Sequence, residues 1–404
     1  MKVLQLTIKP PIPAVDGGCI AIKNFSDMIL DGGNQLKILS LATHKHPFEE
    51  ELIPQDFKEK TEIEAVFIKT ELNVRDAFAS MVTMDSYNIS RFFSVDFDAR
   101  LEEILLSQEF DFIQLESLFM TPYISTIRRN TAAPIVLRSH NFEHSIWEQI
   151  ASREDSRFKR WYLKFLASRL KKYELEIMDA VDGVIAISST DESRYKRLDY
   201  KIPVTCIPFG INLDDYPASR PVKNPPRIFH LGAMDWQPNI EGIQWFLNNV
   251  WPEFMVQQPN AELYLAGRSM DIESFKGFGN RVHLVGEVDD AQEFMLSNDI
   301  MVVPLNTGSG IRIKILEGMA MGKTVISTKI GAEGIEAKDG VEIFIAESAR
   351  DFQEILNKLY NEPELIAKVG AAAREFAHSN FNQRILRGRF EDFSKKLMKE
   401  SPLA

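Results

Sequence analysis

Gly308-Ser309-Gly310-Ile311-Arg312-Ile313-Lys314-Ile315-Leu316-Glu317-Gly318-Met319-Ala320-Met321-Gly322 is the stretch from which the architecture of this chain can be read. A short β-branched run at 300–303 precedes it and another at 324–327 follows it. Strand, glycine-rich loop, helix and strand in that order form a βαβ unit, and βαβ units build parallel sheets.

The same alternation continues in both directions. Strands are expected at 228–231, 262–266, 282–285, 300–303, 324–327 and 342–345, with helices at 240–250, 291–296, 311–321, 349–360 and 364–377. The first half shows strands at 3–8, 36–41, 65–68, 112–115, 135–138, 183–187 and 204–207, with helical stretches at 20–30, 101–106 and 147–180. Between the two series the periodicity stops, and five prolines, Pro208, Pro217, Pro221, Pro225 and Pro226, read as a linker. The expected fold is α/β, with two Rossmann-like, doubly wound parallel-sheet domains facing across a cleft. Their bounds are 1–207 and 227–380, joined by 208–226. A last helical run, 381–404, packs across the domain junction or caps the second domain. Ligands in such sheets sit beyond the carboxyl ends of the strands, so the cleft is the expected site.

Composition narrows the function. The 404 residues are 45% hydrophobic and 26% charged, a folded composition with room for two cores. A net charge of −11 disfavours general binding to nucleic acid. Cys19 and Cys206, read as buried thiols, are too few for a disulfide framework and suit a reducing compartment. The alternating start at 1–8 lacks the pattern of a signal peptide, and no apolar run approaches the roughly 20 residues that span a bilayer. A cytoplasmic protein, with peripheral contact at the inner membrane face, is the expectation.

In the quoted stretch the backbone N–H groups of Gly310 and Ile311 open a helix, where a phosphate is favoured by the partial positive charge. Arg312 and Lys314 stand in the first turns, where the helix dipole disfavours a cation unless an anion is present. A diphosphate would remove that conflict. Glu317 lies one turn further among Ile315, Leu316, Gly318, Met319 and Ala320, and a carboxylate in such surroundings needs partners that ribose hydroxyls could supply. The alternative is an i,i+3 ion pair between Lys314 and Glu317, with the glycines making only a turn. It accounts neither for the apolar flanks of Glu317 nor for Arg312.

This run resembles the donor-site signature of glycosyltransferase family 4, in which a glycine-rich loop leads into a helix ending Leu-Glu-Ala-Met-Ala-x-Gly-x-Pro-Val. The matching residues are Leu316-Glu317-Gly318-Met319-Ala320-Met321-Gly322-Lys323-Thr324-Val325. The resemblance implies the GT-B architecture and transfer, with retention, from a nucleoside diphosphate sugar that closes the two domains upon itself. Glu317 matches the second of the family's two glutamates, which contacts ribose, and Ser309 stands where the first contacts the sugar. The loop Gly232-Ala233-Met234-Asp235-Trp236-Gln237-Pro238-Asn239 lacks the Arg and Lys that family members place there for pyrophosphate, so Arg312 and Lys314 are the substitutes.

Weaker matches fall in the same order. Gly17-Gly18 after the first strand looks like the family's first-domain glycine loop. It is not Gly-x-Gly-x-x-Gly, and a nicotinamide dinucleotide is not indicated. His140 follows the strand at 135–138 and resembles a histidine that contacts the transferred sugar, with capping of the next helix as the alternative. His144 has no match and is expected at the surface. Pro208-Phe209-Gly210-Ile211-Asn212 resembles the family's interdomain junction, where Gly210 would act as a hinge. Glu333 and Gly267-Arg268 are further candidates for the donor pocket.

No histidine or cysteine spacing forms a metal-ligand cluster, and neither metal nor cofactor is expected. Arg153, Arg157, Lys159, Arg160, Lys164, Arg169, Lys171 and Lys172 interleave with Trp161, Tyr162, Phe165, Leu166 and Leu170. That pattern suits a helix lying on an anionic membrane or drawing in a lipid-phosphate acceptor, or else an ordinary amphipathic helix with its apolar face on the core. The expected reaction is sugar transfer to a surface-polysaccharide or lipid-linked glycan. The rivals are a non-catalytic sugar-nucleotide-binding module, motivated by Ser309, and a sugar-nucleotide epimerase.

Overall fold

The computed structural model describes residues 1–400 apart from Val15, 69–88, Ser90, Asp199, Asp214, Asp215, Ser309 and Gly310. The strands are, in chain order, β1 (Lys2–Thr7), β2 (Gln35–Ala42), β3 (Glu64–Phe67), β4 (Phe112–Glu116), β5 (Ile135–Ser139), β6 (Gly183–Ala186), β7 (Val204–Cys206), β8 (Arg227–Leu231), β9 (Glu262–Ala266), β10 (Val282–Gly286), β11 (Ile300–Val303), β12 (Thr324–Ser327) and β13 (Phe344–Ile345). They form two parallel sheets, ordered β3-β2-β1-β4-β5-β6-β7 and β10-β9-β8-β11-β12-β13. Each is doubly wound, and strand order reverses between β1 and β4 in one sheet and between β8 and β11 in the other. These are the places where the connections diverge and leave a crevice at the carboxyl ends.

Helices covering both faces bury the central strands on both sides rather than on alternate residues. In β1, Val3, Leu4 and Leu6 are all fully buried, and so are the four residues of β11 except for a trace of Val303. One compact unit comprises Met1–Gly210 and Leu386–Ala404, the other Ile211–Ile385. The chain thus returns to its first unit at the end. In the helix Gln383–Glu400, Phe390 is fully buried and meets Phe25 and Phe112 edge-on at 5.5 and 5.7 Å. The proline-rich stretch packs along the second unit, with the Ser219 hydroxyl donating to the Gly322 carbonyl (3.2 Å). Gly210 is pinned rather than free, since Asn24 bonds both its carbonyl (2.8 Å) and its N–H (3.0 Å).

Local chemistry explains where the elements differ from expectation. The helix expected over 147–180 is two, Glu143–Arg153 and Arg157–Glu176. Between them the Glu154 carboxylate accepts the Ser156 N–H (3.0 Å), and the Glu154 carbonyl accepts from Arg160 Nε (2.8 Å), side-chain and backbone bonds that replace the helical ladder. The helix expected over 311–321 spans Ile313–Ala320, with Arg312 at the N-cap rather than in the first turn. Short helices at Ile124–Asn130, Ser189–Arg197 and Trp251–Gln257 were not expected.

Candidate active site

At the reversal point of the second sheet two loops meet, the one after β8 and the one after β11. Gly232 and Gly267 let the ends of β8 and β9 approach, and a Cβ on Gly267 would fall 1.7 Å from the Gly232 carbonyl oxygen. The next residues bring Trp236 against the other loop, and the Arg312 guanidinium lies over its ring, 4.8 Å from the centroid. Gly308 makes that stack possible. Its φ of +116° suits glycine, and a Cβ there would stand 2.7 Å from an Arg312 nitrogen and 3.0 Å from Trp236. Ile311 packs against Gly334, where an added Cβ would stand 2.7 Å from its Cγ1.

Two cations at a helix start are thereby tolerated for identifiable reasons. Burial lowers the Arg312 pKa from its ordinary value while the charge of Glu333 opposes that shift, and the indole face adds a cation–π contact. Lys314 instead reaches Glu317, Nζ to Oε2 at 2.6 Å, so the ion pair considered as an alternative is formed. Glu317, its side chain 14% exposed, also accepts the Tyr216 hydroxyl on Oε1 at 3.1 Å. Carboxylate oxygens carry about four acceptor sites in all, so these two bonds leave capacity for further donors. Arg374 ties Tyr216 and the end of this helix together through the carbonyls of Tyr216 and Ala320. Ser309 and Gly310 lie outside the described residues.

The first unit gathers a second group at the carboxyl ends of β1, β4 and β5. Glu116, fully buried at the end of β4, receives Gln5 Nε2 on Oε1 (2.9 Å) and Arg138 Nη1 on Oε2 (3.0 Å). His140, just past β5, places Nε2 2.8 Å from the same Oε2. Ser26 donates to Gln5 (2.7 Å), and the Phe25 ring lies 4.3 Å under the Arg138 guanidinium. Burial alone would raise the Glu116 pKa. The charge of Arg138 and the bond to His140 outweigh it and hold the carboxyl below its usual range.

In the glycine loop, Lys9 Nζ spans both oxygens of Asp16 (2.7 and 2.8 Å), and His46 Nε2 takes Oδ2 (2.9 Å). Asp16 in turn accepts the Cys19 N–H (2.9 Å) and caps the helix Gly17–Asp31. Gly18 is needed for this, because a Cβ would meet Lys9 Nζ at 2.5 Å, whereas around Gly17 there is open space. Asp16, Cys19 and His46 hold potential ligand atoms within 4.8 Å of one another, a grouping that residue spacing did not reveal. The ammonium of Lys9 already occupies the carboxylate. Cys206 is only half-buried, unlike Cys19.

His144 is not at the surface. It is 6% exposed, with Nδ1 2.6 Å from Glu174, which also accepts the N–H groups of Glu143 and His144. The carboxylate serves the amides that lack helical partners at the start of the helix Glu143–Arg153, and the pKa of its neighbour Glu143 is pushed up to about 7, first by burial and then by Glu174. A concavity of about 730 Å³ lined by Arg128, Asn130, Asp182 and Lys201 opens at the amino ends of β5 and β6, the opposite side from these groups. Of the residues described here, Trp236, Tyr216, Glu116 and Lys9 were not singled out from sequence. Only the position of Glu116 at a strand's end gave a signal.

Residues 69–215 match the family described as Glycosyltransferase Family 4, and residues 225–362 that described as Glycosyl transferases group 1. An uncharacterized 44.6 kDa protein in the cps region of Klebsiella pneumoniae is 23% identical over 398 residues, 95% of this chain and 97% of its own length. Sucrose-phosphate synthase from Thermosynechococcus elongatus superposes with a TM-score of 0.65 at 15% identity, over 99% of this chain and 100% of that one. Anabaena HepE in complex with UDP gives 0.63 at 13% identity, over 98% and 100%. These likenesses establish the fold class, GT-B.

Proposed function

We propose, starting from a chain that belongs to the group 1, family 4 glycosyltransferases, that it moves a sugar from a nucleoside diphosphate donor to a hydroxyl of a surface polysaccharide or lipid-linked glycan, with retention. The observation that carries the donor assignment is the meeting of Arg312, Lys314 and Glu317 at the reversal point of the second sheet. In this reading Arg312 and Lys314 stabilise the departing diphosphate electrostatically, without a metal ion, and Glu317 accepts ribose hydroxyls beside Tyr216. Ile311 and the backbone around Gly232 form the walls. The HepE structure, in complex with UDP, supports a nucleotide ligand, and the cps-region relative supports a polysaccharide setting. His140 is assigned to the transferred sugar.

The test is direct. Arg312→Ala and Lys314→Ala each lose about 2–4 kcal/mol of transition-state stabilisation, read from kcat/KM, and activity persists in EDTA. Glu317→Ala weakens nucleotide binding by calorimetry. Unchanged turnover in both cation variants would remove the assignment.

A peripheral membrane contact belongs to the same proposal. In the helix Arg157–Glu176, Ala167 and Leu170 are buried, whereas Phe158 and Trp161 are 78% and 60% exposed. Phe158, Trp161 and Phe165 form a ladder with centroids 6.2 and 6.1 Å apart, flanked by exposed Arg157, Lys159 and Lys164. Exposed aromatics among cations suit an anionic lipid interface.

A further inference from the structure

A fully buried carboxylate is costly unless it is paired, and replacing such a pair with apolar residues is often neutral or stabilising. The Glu116–Arg138 pair therefore needs a reason other than stability, and the group at its outer end supplies one. His140 Nε2 stands 2.8 Å from Glu116 Oε2 and 3.4 Å from Arg138 Nη1. A guanidinium only donates and a carboxylate only accepts, so the two contacts ask opposite things of Nε2. The carboxylate contact is shorter by 0.6 Å, the difference of those distances, and a bare nitrogen lone pair facing a carboxylate is repulsive. Nε2 therefore carries the hydrogen. Arg138 already balances the charge of Glu116, so a neutral ring satisfies the geometry. Among the described residues no hydrogen-bond partner is found for Nδ1 of His140, whose side chain is 19% exposed.

We propose that Glu116 is a positioning residue that fixes His140 in its Nε2–H tautomer, so that Nδ1 meets the substrate as a hydrogen-bond acceptor for a sugar hydroxyl. The sugar half of this rests on the assignment of His140 above. The tautomer does not. Gln5 and Arg138 hold Glu116 from the inner side, so the histidine's orientation is set by strands β1, β4 and β5 together.

Histidine labelled with ¹⁵N and long-range proton–nitrogen correlation read the tautomer directly, with His140→Asn identifying the signal. The wild-type protein is expected to show Nε2 protonated and Nδ1 bare. In Glu116→Gln the amide oxygen takes the Oε1 place, where Gln5, Gln114 and the longer contact of Arg138 Nη1 (3.3 Å) all donate, and this leaves the amide N–H groups at the Oε2 place facing the ring. The tautomer should invert to Nδ1–H, and kcat/KM should fall about tenfold, the scale of one hydrogen bond. The same change made in a His140→Ala background should cost nothing further. A wild-type spectrum with hydrogen on Nδ1 overturns the proposal even if the variant fails to fold, as does a folded Glu116→Gln with an unaltered spectrum. An inverted tautomer with unchanged turnover overturns the sugar contact by His140 while leaving the donor assignment at Arg312 untouched.

Discussion

Trp236 stands in a loop, 232–239, that carries neither Arg nor Lys, and its indole holds a cation from elsewhere, the Arg312 guanidinium. A cation–π contact is worth about 0.5–2 kcal/mol, enough to select one position for a long, rotamer-rich side chain. Trp236→Ala should therefore raise the KM for the proposed donor about twofold to thirtyfold, the same range expressed as affinity, while Trp236→Phe restores most of it. Combined with Arg312→Ala, the effects should fall short of additive, because the indole acts through the guanidinium. Steady-state kinetics on the four proteins of that cycle decide it, and strict additivity would show that Trp236 contributes independently. Lys314 behaves differently from Arg312 despite its neighbouring place, since its ammonium is engaged by Glu317.

At the scale of elements, helix ends recur as the places where charge is arranged. Asp16, Ser94 and Ser348 each cap a helix by accepting a backbone N–H, the last in a reciprocal box with Asp351. Glu174 meets the same need from a neighbouring helix. The helix Arg157–Glu176 departs from the ordinary amphipathic pattern because it has apolar side chains on two faces, one in the core and one exposed. Phe158→Ser with Trp161→Ser should leave the fold intact and weaken co-sedimentation with phosphatidylglycerol-rich vesicles. Retained binding by that double variant would mean the ladder does not meet lipid.

For the molecule as a whole, the first unit depends on residues from both ends of the chain. Phe390, more than 350 positions from Phe25, packs against it and Phe112 with no exposed surface. Phe390→Ala should destabilise the first unit by about 3–5 kcal/mol, the usual range for emptying a buried phenylalanine site. Thermal unfolding should show that unit melting earlier, with the nucleotide binding proposed for the second unit retained below its own transition. A shift confined to the second unit would contradict the placement of this helix.

The sequence by itself determined the two parallel sheets and the helix that follows the glycine-rich loop, Ile313–Ala320, because both are written in local terms. β-Branched runs, glycine-rich turns and apolar flanks follow each other at spacings that one chain segment controls. The positions of Lys314 in the first turn, Glu317 one turn on and His140 just past a strand came from the same local pattern, whereas Arg312 moved from the first turn to the N-cap. Tertiary structure alone decided the partners of those residues. Trp236 and Arg312 are neighbours because β8 and β11 are adjacent, and Glu116 meets His140 because β4 lies beside β5. It also placed His144 inside, since Glu174 reaches it from 30 residues away. A hydrogen bond or a stacked ring depends on strand order and register, and no residue spacing records which strands will lie side by side.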